Sequence, residues 1–485
     1  MKKLFINILF AFSIVLVSNN TQAQYSDITY FMRSTPFAYK MNPAIMPTAS
    51  MYINYPVLSG INVNFGTSGF AYNDLIKRRD DDSLMIDFKS FYDALSDRNY
   101  IRLDGNFEIL GFGFNIGEKN YLSFGVDLNI DSRLSFSKDL FGFLSGERFS
   151  KNETIDIFTK DILSINSYLS TSIGYTRVIN DKINVGGRLK LLFGIANVYS
   201  EESELTITQD NSGLTAQGNF LIRTSNLAGK IDFSGVNDST NKDKFNLDSP
   251  INASNIFKNI GLGIDLGATY KLNDKMLFSF SIKDLGFINW TTNTTNIVSK
   301  NPNGKYTFRG FENIATDSSF SNQLEQIGDS VIQALDVKTT EGEAYSTMLP
   351  TKVYIGYTWN FAKTQYLNAL YKATIGNNYF DNHLSIFYSL QLERFLNVSL
   401  GNTFAFENNF HNIKPFNPSV ALNFNVYALN LYVGSSLNSS YNVAKMTGVN
   451  FFFGINLALG YNDLLKQKDK DKNKDDESQI PEKSK

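Results

Sequence analysis

The sequence predicts an all-β protein: a transmembrane antiparallel β-barrel of about 14 strands, with a short N-terminal plug and small helical insertions in its extracellular loops. Three observations predict it. Long segments place an apolar residue at every second position, connections between them alternate between short and long, and a Pro-punctuated apolar segment precedes the first strand.

The period is clearest in "GVNFFFGINLALGY". Val449, Phe451, Phe453, Ile455, Leu457, Leu459 and Tyr461 alternate there with Gly448, Asn450, Phe452, Gly454, Asn456, Ala458 and Gly460. Alternation of this kind gives a strand one apolar and one small or polar face. Its length exceeds the roughly five or six residues of an average soluble strand and suffices to cross a bilayer when tilted. The same rhythm recurs at Leu122–Ile130, Ile183–Ile195 and Ile260–Tyr270. Alternation alone fits either a soluble sandwich, apolar face inward, or a membrane barrel, apolar face toward lipid.

The connections discriminate. Strands are expected near 51–66, 100–116, 119–135, 164–179, 182–198, 259–272, 275–290, 351–361, 364–376, 382–393, 395–407, 418–426, 428–437 and 448–461. Short turns such as Gly117-Glu118, Asn180-Asp181 and Asn273-Asp274 alternate with longer loops such as 67–99, 136–163, 199–258 and 291–350. Short turns on one side, long loops on the other and an even strand count mark an outer-membrane barrel, whereas Greek-key sandwiches do not sort their loops this way. Only helices or a closed sheet can satisfy backbone groups in lipid. With periplasmic short turns, both termini lie in the periplasm and the long loops outside the cell. Leu84–Leu95 and Asn322–Leu335 have helical spacing and are expected to cap the outer mouth. Thr206–Ile222 reads as strand continuing above the membrane.

At the N-terminus, Lys2 and Lys3, an apolar run over Leu4–Val17 and Thr21-Gln22-Ala23 read as a signal peptide over 1–23. The remaining segments are a plug over 24–50, the barrel over 51–461 and a charged tail over 462–485. Without the signal, 43 basic residues face 47 acidic ones, which argues against nucleic acid as a partner. No cysteine is present, so disulfides and thiolate metal sites are excluded.

In "YKMNPAIMPTAS" (Tyr39–Ser50), Pro43 and Pro47 forbid a regular helix or central strand, yet Met41, Ala44, Ile45 and Met46 are apolar. Such a segment can line a lumen without pairing to its wall, with Met as an adaptable filler; a plain linker is the alternative. Met41-Asn42-Pro43-Ala44 resembles the Asn-Pro-Ala signature near the N-terminus of FadL-like outer-membrane barrels, which implies fourteen strands and a plug built around Asn42, Pro43, Ala44 and Pro47. "RSTPFAYKMNPAIMP" and "SIKDLGFINW" more closely resemble an uncharacterised group of that wider superfamily, which includes the PorV barrels of type IX secretion.

Catalytic signals are weak. His383 opens a strand and His411 precedes Pro415; neither has a nucleophile motif, and both read as surface residues. "DKDKNKD" in the tail lacks the glycine and closing glutamate of a calcium loop, and Lys466–Lys485 reads as disordered. Asp80-Asp81-Asp82 reads as a solvated turn. "GLGIDLG" stays in strand period, its glycines giving room for an approach to the wall. No catalytic residue, metal site or cofactor is expected.

Asp127, Asp131, Arg188, Lys190, Asp265, Lys283 and Lys372 fall on the non-lipid face, and Arg188 and Asp265 sit at matching heights on consecutive strands. Mixed signs argue against a strongly charge-selective pore. Phe107, Ile109, Tyr168, Leu192, Tyr354, Tyr366, Phe387, Tyr432 and Phe452 are also expected inward, to hold a hydrophobic ligand or to pack on the plug. The expected function is a plugged channel, embedded in outer-membrane lipid of a Gram-negative bacterium, that moves a hydrophobic small molecule. The alternative is a non-transporting docking platform for a periplasmic or surface protein in secretion or surface assembly.

Overall fold

The structure is a computed structural model that describes residues 27–142, 154–159, 162–210, 213–226, 230–231, 245–246, 253–308, 326, 328–377, 379–392, 395–407, 412–414, 417–438 and 440–461. The expected signal peptide, the charged tail and His411 lie outside the described residues.

Fourteen antiparallel strands form the wall. β1 comes in two pieces, Ala49–Asn54 and Ile61–Thr67; then follow β2 (Arg98–Ile116), β3 (Asn120–Ser137), β4 (Leu163–Val178) and β5 (Ile183–Asp210). β6 (Ile260–Asn273), β7 (Met276–Trp290), β8 (Thr351–Ala362), β9 (Gln365–Ile375) and β10 (Phe380–Leu392) continue it. β11 (Leu396–Glu407), β12 (Pro418–Val426), β13 (Leu429–Asn438) and β14 (Gly448–Tyr461) complete it. Each strand pairs with its neighbours in sequence, and β14 pairs with β1 through Met51↔Leu459 and Asn64↔Asn450. The sheet is therefore closed and has no edge to protect.

Burial settles what alternation left open. Leu189 and Ile173 on the outer face are 67% and 59% exposed, while Asp265 and Asn450 on the inner face are 1% and 0% exposed. A water-soluble sandwich would bury the apolar set instead. Apolar outside and polar inside is the arrangement that lipid selects.

Among the register shifts in the wall, two rearrange the charged interior. The β2–β3 register shifts between Glu108 and Leu110, so Arg102, Asp104 and Glu108 are buried on the inner face while Leu103 and Leu110 are exposed on the outer one. The expected inward placement of Phe107 and Ile109 is thereby corrected: one extra residue reverses the parity on its far side. In β7 the register shifts where Asp265 faces Lys283 and Asp284, and Asp284 takes φ +62°. Asp tolerates that left-handed conformation better than most residues.

β1 is interrupted rather than continuous as expected. Residues 55–60 bow out, presenting Tyr55, Val57 and Leu58 on the outer surface. The wall stays closed because Val57 N–H donates to Glu108 O at 3.0 Å and Ile455 N–H to Leu58 O at 2.9 Å.

Beyond the wall, β5 pairs with Gly213–Ser225, which pairs with Thr294–Ser299 and Tyr306–Phe308. The single strand expected over Thr206–Ile222 is corrected: its described residues divide between the end of β5 and the antiparallel strand Gly213–Ser225 of this outer sheet. The helical spacing near 84–95 resolves into a helix at Phe88–Ala94, capped by Asp87, whose carboxylate accepts from Ser90 N–H at 2.9 Å. Residues 328–334 are also helical.

Candidate functional site

The lumen is occupied by the chain's own N-terminal segment. A 3-10 turn at Asp27–Phe31 leads to α1 (Pro36–Met41), whose first position takes proline because no intrahelical donor is needed there. Nearly every side chain from 27 to 49 is buried. Ile28, Met32 and Phe37 pack on Phe387, Tyr432 and Phe452, and Tyr30, Met41 and Ile45 pack on Tyr354 and Leu370. Of the residues expected inward, Phe387, Tyr432, Phe452 and Tyr354 thus cover the plug, whereas Tyr168 and Leu192 pack with Trp290 and Leu349.

Asn42-Pro43-Ala44 is seated by the wall. Asn42 Oδ1 accepts from Ala44 N–H at 2.9 Å, and its Nδ2 donates to Tyr30 Oη at 2.9 Å and Phe280 O at 3.3 Å. Thr176 donates to Pro43 O at 2.5 Å and Ser281 to Met41 O at 2.9 Å. Two wall glycines make the approach possible. A Cβ on Gly186 would lie 2.0 Å from Pro43 O, and one on Gly267 would lie 2.1 Å from Asn42 Oδ1. Gly267 closes the "GLGIDLG" stretch, so its glycine does make room for the plug. Pro47, the second proline, is also buried.

Three ion clusters follow. In the first, Lys40 of α1 contacts Asp127 at 2.6 Å and Glu108 at 2.8 Å. Burial opposes the Lys40 charge, but the two carboxylates hold its pKa above the ordinary lysine range. In the second, Asp27 contacts Lys372 at 3.2 Å and is hydrogen-bonded to His383. Burial pushes the Asp27 carboxyl up, yet His383 and then Lys372 outweigh it and hold the group at about 2. His383 is therefore a lumenal plug contact, which corrects its reading as a surface residue. In the third, Lys190 contacts Asp265 at 2.6 Å and Asp284 at 2.5 Å, and Lys352 contacts Asp284 at 2.9 Å. Arg188 lies opposite Asp265 in the β5–β6 ladder, 3.6 Å from it, and its guanidinium sits 4.6 Å above the Tyr39 ring.

A cavity lies on the long-loop side of the plug, floored by Phe37, Lys40 and Met41. Asp127, Asp131, Arg188, Lys190 and Lys283 line it; Asp265 stands behind Lys190, and Lys372 stands apart with Asp27. Asp284 and Lys352, which the sequence reading omitted, also line it. The signal for Asp284 was the Lys283-Asp284 doublet: two adjacent charges in a membrane strand cannot alternate without exposing one to lipid, so a bulge must turn both inward. No group of three or more potential metal ligands occurs among the described residues.

A closed barrel with a lipid-facing apolar surface and a folded segment in its lumen defines a plugged transmembrane barrel, and its fold resembles that of outer-membrane proteins of Gram-negative bacteria. The chain belongs to the family described as "Family of unknown function (DUF5723)", which matches residues 43–436. No curated protein matches it. Among solved structures it is similar to the toluene transporter TbuX of Ralstonia pickettii, at 9% identity over 87% of this chain and 94% of that one, TM-score 0.43. It is likewise similar to the toluene transporter TodX of Pseudomonas putida, at 10% identity over 90% and 94%, TM-score 0.38. A FadL homologue of Pseudomonas aeruginosa matches at 9% identity over 86% and 92%, TM-score 0.36. At these values none bears on substrate.

Proposed function

We propose that this protein is an outer-membrane channel closed by its own N-terminal segment and opened when that segment shifts. The single observation that carries the reading is the seating of Asn42-Pro43-Ala44 in the Gly186–Gly267 notch, above which a polar cavity opens toward the long-loop end. The plug is held by discrete hydrogen bonds and ion pairs as well as apolar packing, so a small displacement exchanges a defined set of contacts.

The hydrophobic cargo expected from sequence fits the interior less well. The inward aromatic side chains Phe387, Tyr432 and Phe452 are spent on the plug, and although Tyr168 and Tyr354 reach the cavity, most of the residues lining it are charged or carry amides. Dry apolar walls, which a hydrocarbon site needs, are not what the cavity offers. The outer sheet built on β5 favours the second reading, a docking platform, because it adds a broad hydrogen-bonded surface that no channel requires.

Planar-bilayer conductance of the full chain separates the two. The native protein is expected to be closed with rare openings, and the double substitution Asn42→Ala, Pro43→Ala to open at least tenfold more often, about 1.4 kcal/mol of lost closure. If both stay silent while heat-modifiable gel migration shows intact barrels, the channel reading fails and the docking platform stands.

A further inference from the structure

The charges around the cavity are sorted by side. Asp104, Asp127 and Asp131 line it from β2 and β3, while Arg188, Lys190, Lys283 and Lys352 line it from β5, β7 and β8. Ion partners reduce the imbalance without cancelling it. On the acidic side Glu108 joins the three aspartates, and Lys40 and Arg102 oppose these four carboxylates. On the basic side Asp265 and Asp284 oppose the four cations. The net is two negative charges facing two positive ones across one cavity.

Orphaned polar atoms mark both sides. Asn64 lines the cavity beside Asp104, is 1% exposed, and its Oδ1 accepts no hydrogen bond. Arg188, 4% exposed, lines the other side, and its Nε and Nη2 have no acceptor. Buried polar groups without partners are costly, and a ligand or ordered water that meets them recovers the loss. Lys283 is only partly buried, and its nearest carboxylate is 3.8 Å away, beyond a hydrogen bond.

We propose that this cavity binds a small zwitterion, of the amino-acid or short-peptide class, with its ammonium toward Asp104, Asp131 and Asn64 and its carboxylate toward Arg188 and Lys283. A field set by fixed charges of opposite sign on opposite sides aligns a dipole and gives little to a neutral solute. It also discriminates against single ions, because either sign meets a repelling side. The proposal deepens the channel reading by naming its solute class, and rests on it for the claim that the ligand passes through.

Calorimetric titration of the full chain in mild detergent tests it with four probes of similar size: glycylglycine, glycylglycinamide, N-acetylglycine and N-acetylglycinamide. Glycylglycine is expected to bind at least about tenfold tighter than the other three. Lys283→Gln, at a partly exposed position, should weaken glycylglycine severalfold while leaving glycylglycinamide unchanged. Equal binding of all four, no binding of glycylglycine, or N-acetylglycine binding as tightly as glycylglycine would each overturn the proposal. The comparison of probes on the native protein needs no variant. Glycylglycine binding by a barrel that never conducts would sink the channel reading alone; conduction without selective binding would sink this inference alone.

Discussion

The two halves of the barrel interior are built from different chemistry. From β2 to β8 the inner face carries Arg102, Asp104, Glu108, Asp127, Arg188, Lys190, Asp265, Asp284 and Lys352, all buried. From β12 to β14 the strands contain no charged residue at all, and the buried inner groups are amides, hydroxyls and aromatics: Asn423, Asn430, Asn450, Asn456, Ser419, Tyr432 and Phe452. The charged half holds the bulges in β2–β3, β4–β5 and β6–β7, the cavity and the bases of the longest loops; the neutral half has shorter connections and an unbroken register. Both halves grip the plug, but on different terms. Ion clusters are expensive to leave half-made, whereas neutral contacts can be lost singly at modest cost. The charged half is thus where a small change in the plug has a large effect.

Lys40→Met tests that contrast most strongly. It would leave Glu108 and Asp127 buried beside each other without their cation, a loss of about 3–5 kcal/mol. Limited proteolysis should then cut within 27–48 while the barrel stays intact, and adding Glu108→Gln and Asp127→Asn should restore protection. Gly267→Val comes next, because its side chain would collide with Asn42 Oδ1; overpacking of this kind costs about 1–3 kcal/mol. More frequent channel openings are the expected result, and unchanged conductance would remove the notch from the argument.

In the neutral half, Asn430→Ala deletes a donor to Ser34 O at 3.1 Å and should cost only about 1 kcal/mol. The shift in the urea midpoint for plug exposure measures it; a loss as large as that of Lys40→Met would erase the distinction between halves. The last test is one of pH, at Asp27 on the seam between the halves, where no change is expected until the solution is well below neutral. Its pKa is lowered from 3.8 to about 2, so its contribution is fully present above about 3.8 and disappears as pH falls through about 2. Protease protection of the segment should therefore hold from pH 7 to 4 and weaken below it, and Asp27→Asn should flatten that dependence.

Much of this was legible before any coordinates. The period of two, the sorted connections and the Asn-Pro-Ala segment are local properties, each readable within one stretch of chain. Asp127, Asp131, Arg188, Lys190, Asp265, Lys283 and Lys372 were assigned to the inner face by counting along single strands, and they lie within the barrel. Counting failed where a bulge intervened. Ile109 and Phe107 share the parity of the inward Gly111 and Gly113, but a bulge one residue long intervenes between Glu108 and Leu110. His383 was taken for a surface residue because its partner, Asp27, is distant in sequence.

By itself, the sequence determined that the chain forms alternating strands of membrane length, joined so that only a closed barrel satisfies the backbone, because side-chain alternation and turn length are set by neighbours along the chain. Tertiary structure alone decided which face meets lipid at each bulge, which carboxylate each buried cation finds, and that the charges divide into opposing sides around one cavity. Those outcomes depend on register between strands and on the path of the plug, and both are fixed by contacts between residues far apart in the chain.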